Sequence, residues 1–200
     1  MNLLEDTVDW LGDGTFKSAP KPFSQVFTVH AKWRDTHRTI PCFYILLPDK
    51  SEDTYVAMFL EIRRLVNDNA PSTFSIDFEK SLINAIIRVF PAADIRGCYF
   101  HFSQNFRWHL SDYGIQDRVD NDPAIALQAR MLRGLAFVPE EDVVNTYELL
   151  LQNIDIPTWH DFLSNYFEIY YIGEPHRYEP GRDDGVFARA TWNVHQRTLN

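Results

Sequence analysis

Two aspartates stand where this chain could do chemistry. Asp13 lies in Trp10-Leu-Gly-Asp-Gly-Thr-Phe16 and Asp77 in Ser75-Ile-Asp-Phe-Glu-Lys80. Each carboxylate falls at the expected end of a short apolar strand. Two such strands laid side by side would present hard oxygen ligands to a divalent cation, and the chemistry such a pair supports is phosphoryl transfer. Each aspartate also has an ordinary reading. Asp-Gly is a common hairpin-turn dipeptide, and an Asp between a strand and a helix is a frequent N-cap. The third acid that such a site needs is not evident before Asn200.

The elements that must position the two acids can be read from apolar spacing. Residues 6–13 are predicted to form a short strand. Residues 23–33 alternate, with Phe23, Phe27, Val29, Ala31 and Trp33 on one side and Ser24, Thr28, His30 and Lys32 mostly on the other; this is the pattern of a half-buried strand. A turn is expected at 34–37. The near-continuous apolar run 40–47 suits a more central strand. Short links between these three strands suggest an antiparallel meander.

Helical spacing follows. Tyr55, Met58, Phe59, Ile62, Leu65 and Val66 form one apolar stripe, with Asp49 or Ser51 near its N-terminus. Residues 73–77 read as a fourth strand. Leu82, Ile83, Ile86, Val89 and Phe90 mark a second helix that stops at Pro91, and 95–102 reads as a fifth strand or a strand-to-helix passage. The predicted order is β-β-β-α-β-α-β, a mixed α/β arrangement. Past residue 110 helices are predicted near 123–137, 139–153 and 157–171. Pro139 and the acids Glu140, Glu141 and Asp142 open the middle one, and Gly173 closes the last. Residues 174–190 read as a loop.

Composition bounds the answer. The 200 residues are 45% hydrophobic and 14% aromatic, enough for a sizeable core. The formal charge of −9 is unusual for a domain that holds nucleic acid mainly through its own phosphate contacts. Two cysteines, Cys42 and Cys98, suggest no disulfide scaffold, so a reducing compartment is expected. The sequence shows no apolar run of membrane-spanning length and no signal-peptide pattern at its start, and it reads as an intracellular, soluble chain.

Other residues offer weaker signals. Cys98-Tyr-Phe-His101 has a C-x2-H spacing that would supply half of a zinc site, but no second close Cys/His pair is present. A structural pair is therefore the preferred reading and zinc is disfavoured. His101, Arg107 and His109 form a small basic group that would face phosphate or solvent, with Arg107 and His109 the candidates for facing DNA. Glu79 lies close to Asp77, where it would serve as an outer partner of that acid, but a solvated helix face is the preferred reading for it; Glu61 is likewise an acid on a predicted helix. The stripe Trp159, Phe162, Leu163, Tyr166, Phe167 and Tyr170 reads as packing.

Taken together, several strings resemble the transposase domain of Mutator-like elements (MULE). They are Asp13-Gly-Thr-Phe-Lys-Ser-Ala-Pro20, Tyr44-Ile-Leu-Leu-Pro-Asp-Lys50 with Glu52-Asp-Thr-Tyr55, Asp77-Phe-Glu-Lys80 with Asn84-Ala-Ile86, Phe90-Pro91, Gly97-Cys-Tyr-Phe-His101 and Trp192-Asn193. The resemblance covers nearly the whole chain. It implies an RNase H-like mixed sheet carrying a DDE acid triad, with an all-helical insertion toward the C-terminus. Asp13 matches the first acid and Asp77 the second, and Cys98 and His101 match the C-x2-H element. The implied domains are a catalytic core at 1–110, a helical insertion at 111–173, and at 174–200 a loop and the start of a truncated remainder of the core.

The third acid is implied to lie beyond the Trp-Asn segment, so its identity here is unknown and the isolated chain is expected to be inactive or nearly so. The implied cofactor is Mg²⁺ or Mn²⁺. The implied partner is DNA, at transposon ends, in the full-length protein. No membrane association is expected, homo-oligomers are, and nuclear residence follows from the substrate. The competing expectation is a domesticated, non-catalytic module that associates with DNA or other partners. A generic RNase H-like nuclease is a third reading, disfavoured by the helical insertion and the C-x2-H element.

Overall fold

The computed structural model of the chain describes residues 3–5, 7–33, 38–178 and 180–199. The chain divides between Arg96 and Gly97 into two compact units. The first is built on β1 (Asp9–Thr15), β2 (Gln25–Lys32), β3 (Thr39–Leu47), α1 (Glu52–Leu65), β4 (Thr73–Ile76), α2 (Lys80–Val89) and β5 (Asp94–Gly97), whose last residue opens the second unit. This is the predicted β-β-β-α-β-α-β order in a mixed α/β unit. The turn expected at 34–37, and Asp6 at the predicted start of the first strand, lie outside the described residues.

The five strands form one sheet in the order β3-β2-β1-β4-β5. β1, β2 and β3 make the expected antiparallel meander, while β1 and β4 run parallel. β3 is therefore an edge strand, which corrects the central position inferred from its apolar run. Its outward residues show why that inference failed: Tyr44 is 70% and Leu46 42% exposed, so part of the run is apolar without being buried. Hydrophobicity alone does not separate an edge from a centre. Pro41, which has no N–H to donate, suits an edge.

Alternation along the strands sends one face into the core. Trp10, Phe27, Val29, Ala31, Phe74 and Ile76 are buried there. Phe59 from α1 meets Phe27, Phe74 and Phe90 at ring-centroid distances of 6.2, 5.4 and 5.8 Å, and Trp10 meets Phe90 at 5.5 Å. These are favourable edge-on geometries. α1 begins as expected at Ser51, whose hydroxyl accepts from the Thr54 N–H. Leu65, placed on the buried stripe by its spacing, is 44% exposed at the last turn of α1. All five apolar residues read for the second helix are buried.

The second unit is helical: α3 (Tyr99–Asp112), α4 (Gln116–Asn121), α5 (Pro123–Gly134), α6 (Val143–Leu151), α7 (Ile156–Phe162), a π-helical segment (Leu163–Ile172), α8 (Arg189–Trp192) and α9 (His195–Leu199). The aromatic stripe is packing, as expected: Trp159, Phe162, Leu163, Tyr166 and Phe167 are buried, although Tyr170 is 38% exposed. The wider π turn displaces Tyr170 from the row that a regular helix would keep inside. Gly173 stops the helix with φ 94°, a backbone region that favours glycine. Pro139 opens a short 3-10 turn (Glu140–Asp142) rather than the α-helix itself, which begins at Val143.

Candidate functional site

Asp13 is inside β1 and its backbone partner is Thr28 on β2. The chain turns only after Phe16, so the Asp-Gly pair is not the hairpin turn. Asp77 is the first residue past β4, and the N-cap of α2 is Glu79. The Asp77 carboxylate instead accepts from the neighbouring Phe78 N–H. Neither ordinary reading is realised.

β1 pairs with β4. Asp9, Trp10 and Leu11 lie beside Thr73, Phe74 and Ser75 in parallel register. Asp13 and Asp77 each follow the last of these pairs, Leu11 and Ser75, by two residues, toward the C-terminal ends of neighbouring strands. The parity is set by packing. Trp10 and Gly12 point into the core with Phe74 and Ile76, so Leu11 and Asp13 take the other face with Ser75 and Asp77.

Asp13 is exposed and Asp77 half-buried. Among the described residues neither carboxylate has a salt-bridge partner, whereas Asp9 on the same strand pairs with Lys32 at 4.0 Å and accepts from the Thr73 hydroxyl. A hollow of about 240 Å³ on that face is lined by Asp9, Leu11, Lys32, Thr73, Ser75 and Arg96. Its second cation, Arg96, bonds Asp94 at 2.8 Å.

Among the described residues no group of three His, Cys, Asp or Glu side chains converges as a metal centre would require. Two carboxylates nevertheless match the way a magnesium-type ion is held, with one or two protein carboxylates and the remaining positions left to water and substrate phosphate. The donor set of Asp13 and Asp77 fits such an ion.

Glu79 is not on a solvated face. Its side chain is 20% exposed and accepts from Tyr55, Ser81 and Lys50. Tyr55 and Gln25, which also enter this group, carried no chemical signal in the sequence. Tyr55 fitted the apolar stripe of α1, and Gln25 lies 30 residues from it in the chain. Glu61, by contrast, is exposed and pairs with Arg64 as a surface acid would.

The C-x2-H element and the basic group lie in the helical unit. Cys98 is the N-cap residue of α3 and His101 is in the first turn. A hydrogen bond with the His101 side chain, and then the His101 and Phe100 N–H groups, hold the Cys98 thiol below the ordinary cysteine value. Cys42 shifts the other way, raised by burial. The basic group is not gathered. At about 100° per helical residue, Arg107 and His109 fall on opposite sides of α3. Arg107 is exposed, while His109 pairs with Asp112 at 3.0 Å and lies 3.8 Å from the Tyr166 ring centre. α3 itself is longer than the sequence suggested. Phe102, Phe106 and Leu110, four residues apart and buried, were its available signal.

The α/β unit thus carries an acid toward the C-terminal end of each of two neighbouring, parallel strands. Residues 10–105 match the family model of the MULE transposase domain, as the resemblance implied. The matched stretch contains Asp13, Asp77, Cys98 and His101. No curated protein matches the chain. Among the described residues no helix is long and apolar enough to cross a membrane.

Proposed function

We propose that this chain carries the first two acids of a MULE-type DDE transposase core on an RNase H-like sheet. In this reading residues 1–110 form the core, 111–173 a helical insertion, and 174–200 the return toward the core. The observation that supports the reading is the parallel β1–β4 register, whose last pair, Leu11 with Ser75, is followed two residues later by Asp13 on one strand and Asp77 on the other. Both follow strand residues that are buried in the aromatic core, Trp10 and Gly12 before Asp13, and Phe74 and Ile76 before Asp77. Asp77 has one oxygen engaged by the Phe78 N–H. That bond fixes the carboxylate's orientation before any ligand arrives.

Mg²⁺ or Mn²⁺ held by Asp13 and Asp77 would activate a nucleophile and stabilise the leaving oxygen of a phosphodiester. DNA at transposon ends is the substrate and partner in this reading, with nuclear residence and homo-oligomeric assembly as corollaries. The chain's own contribution is the acid pair. Full activity in this reading needs a third ligand besides that pair.

Manganese titration tests the reading. Mn²⁺ should raise the thermal midpoint of the chain, and Asp77→Asn should remove that increase. An equal rise in both proteins would overturn the metal pair. Strong Mg²⁺-dependent cleavage of a transposon-end duplex, lost in Asp13→Ala, would refute the expectation of inactivity. A second reading, a domesticated non-catalytic module, draws support from the formal charge of −9, which opposes extensive phosphate contact. It would be favoured by the absence of any metal-dependent change in stability.

A further inference from the structure

Glu79 follows Asp77 by two residues, and both of its carboxylate oxygens are engaged. Oε1 accepts from the Tyr55 hydroxyl at 2.8 Å and from Ser81 Oγ at 3.1 Å; Oε2 accepts from Lys50 Nζ at 3.0 Å. The Tyr55 oxygen in turn accepts from Gln25 Nε2 at 2.8 Å. Gln25 is 1% exposed and its Oε1 would lie 2.6 Å from a Cβ placed on Gly14, so its amide rests against the backbone immediately after Asp13. A buried bridge therefore runs from Gly14 through Gln25 and Tyr55 to Glu79.

A second bridge crosses at the surface. Lys50 Nζ lies 3.9 Å from the centre of the Phe16 ring while it bonds Glu79. Phe16 belongs to the segment that leaves β1 past Asp13. Both bridges thus join the residues that follow Asp13 to the residues that follow Asp77. Neither is made by the strand ladder, whose β1–β4 pairs stop at Leu11 and Ser75. Beyond that point nothing in the ladder maintains the separation of the two strand ends.

We infer that Gln25, Tyr55, Lys50 and Glu79 are positioning residues that set the spacing of Asp13 and Asp77, an inference that rests on the metal-pair reading. Glu79 is assigned a positioning role because both of its oxygens already accept hydrogen bonds, from Tyr55 and Ser81 on one and from Lys50 on the other. The device has the usual logic of outer partners around a metal site: groups that never touch the ion fix the groups that do.

Tyr55→Phe is the clean test, since it cuts the buried bridge without altering charge. Mn²⁺ affinity of the full chain, read by electron paramagnetic resonance of the free ion, should weaken about 10-fold or more. Lys50→Met separates positioning from electrostatics. Removing a cation near two carboxylates would tighten Mn²⁺ binding by charge alone; loss of the surface bridge weakens it. Thermal midpoints measured alongside show whether each variant is folded at the temperature of the titration. Unchanged affinity in Tyr55→Phe, with wild-type binding abolished by Asp13→Asn, would overturn the positioning role and leave the acid pair standing. If wild-type binding does not depend on Asp13 or Asp77, the pair itself fails. Amide exchange then decides the bridge: faster exchange over residues 13–16 and 77–79 in Tyr55→Phe upholds it, and unchanged exchange overturns it.

Discussion

Two charged groups, one in the sheet unit and one in the helical unit, stand in opposite settings. In the sheet unit, Asp13 and Asp77 stand at strand ends with no cationic partner among the described residues. In the helical unit, the Arg182 side chain is only 6% exposed. It bonds Glu148 at 2.8 Å, Glu168 at 3.1 Å and the Gly173 carbonyl at 2.8 Å, and its guanidinium lies 5.1 Å from the Tyr147 ring centre. Tyr147 also donates to Glu168 at 2.8 Å. Arg182 is therefore fully committed to holding the loop after the π-helical segment. Carboxylates kept free of cations are available to a metal or a solvent-borne ligand; a guanidinium enclosed by carboxylates is structural.

That contrast can be broken most directly at Arg182. Arg182→Ala leaves Glu148 and Glu168 without their partner and should cost about 3 kcal/mol in urea unfolding. Asp13→Asn, measured without metal, should leave the midpoint unchanged. A large loss at Asp13, or none at Arg182, would reverse the assignment of roles. Helix caps give a middle-sized and symmetrical effect. Ser51→Ala in the sheet unit, and Asp122→Ala in the helical unit, where the carboxylate accepts from the Ala124 N–H at 2.8 Å, should each cost about 1 kcal/mol. Unequal losses would show that the units differ in stability coupling as well as in charge.

The cysteines sharpen the comparison without touching stability. Cys98, lowered by His101, forms thiolate at a lower pH than Cys42, raised by burial. Iodoacetamide near neutral pH should therefore label Cys98 first, and His101→Ala should slow that labelling. The smallest effect belongs to Asp49, whose carboxylate is held below its ordinary value of 3.8 by the Ser51 hydroxyl and N–H. A lowered folded value means that this stabilisation is complete above the ordinary value and fades as pH falls through the lower one. Asp49→Asn should slightly flatten the acid limb of the unfolding profile and change nothing at neutral pH.

Much of the sheet unit was legible from apolar spacing because its elements follow single periods. The stripe of α1 and the alternation of β2 each report one buried face, and that is a local property. Position within the sheet was not legible. The apolar run of β3 looks central, yet it lies at an edge, since the neighbours of a strand are chosen by chain crossings that its own residues do not encode. α3 was obscured for a related reason. Its first turn holds the aromatic residues Tyr99, Phe100 and Phe102 directly after β5, so they read as more strand, and the helical period is visible only over Phe102, Phe106 and Leu110.

The amino-acid sequence by itself determined the order of elements in the sheet unit, a helix start at Asp49 or Ser51, the stop at Gly173, and the two acids worth considering. Tertiary structure decided what those acids are. Asp-Gly fits a turn as well as a strand end, and a post-strand Asp fits a cap as well as a ligand, because each alternative satisfies the same local backbone. Only the pairing of β1 with β2 and β4, between residues 11 to 64 apart in sequence, placed Asp13 within a strand and beside the strand that leads to Asp77. The bridge through Gln25, Tyr55 and Glu79 was likewise invisible until folding brought three distant side chains within hydrogen-bond reach.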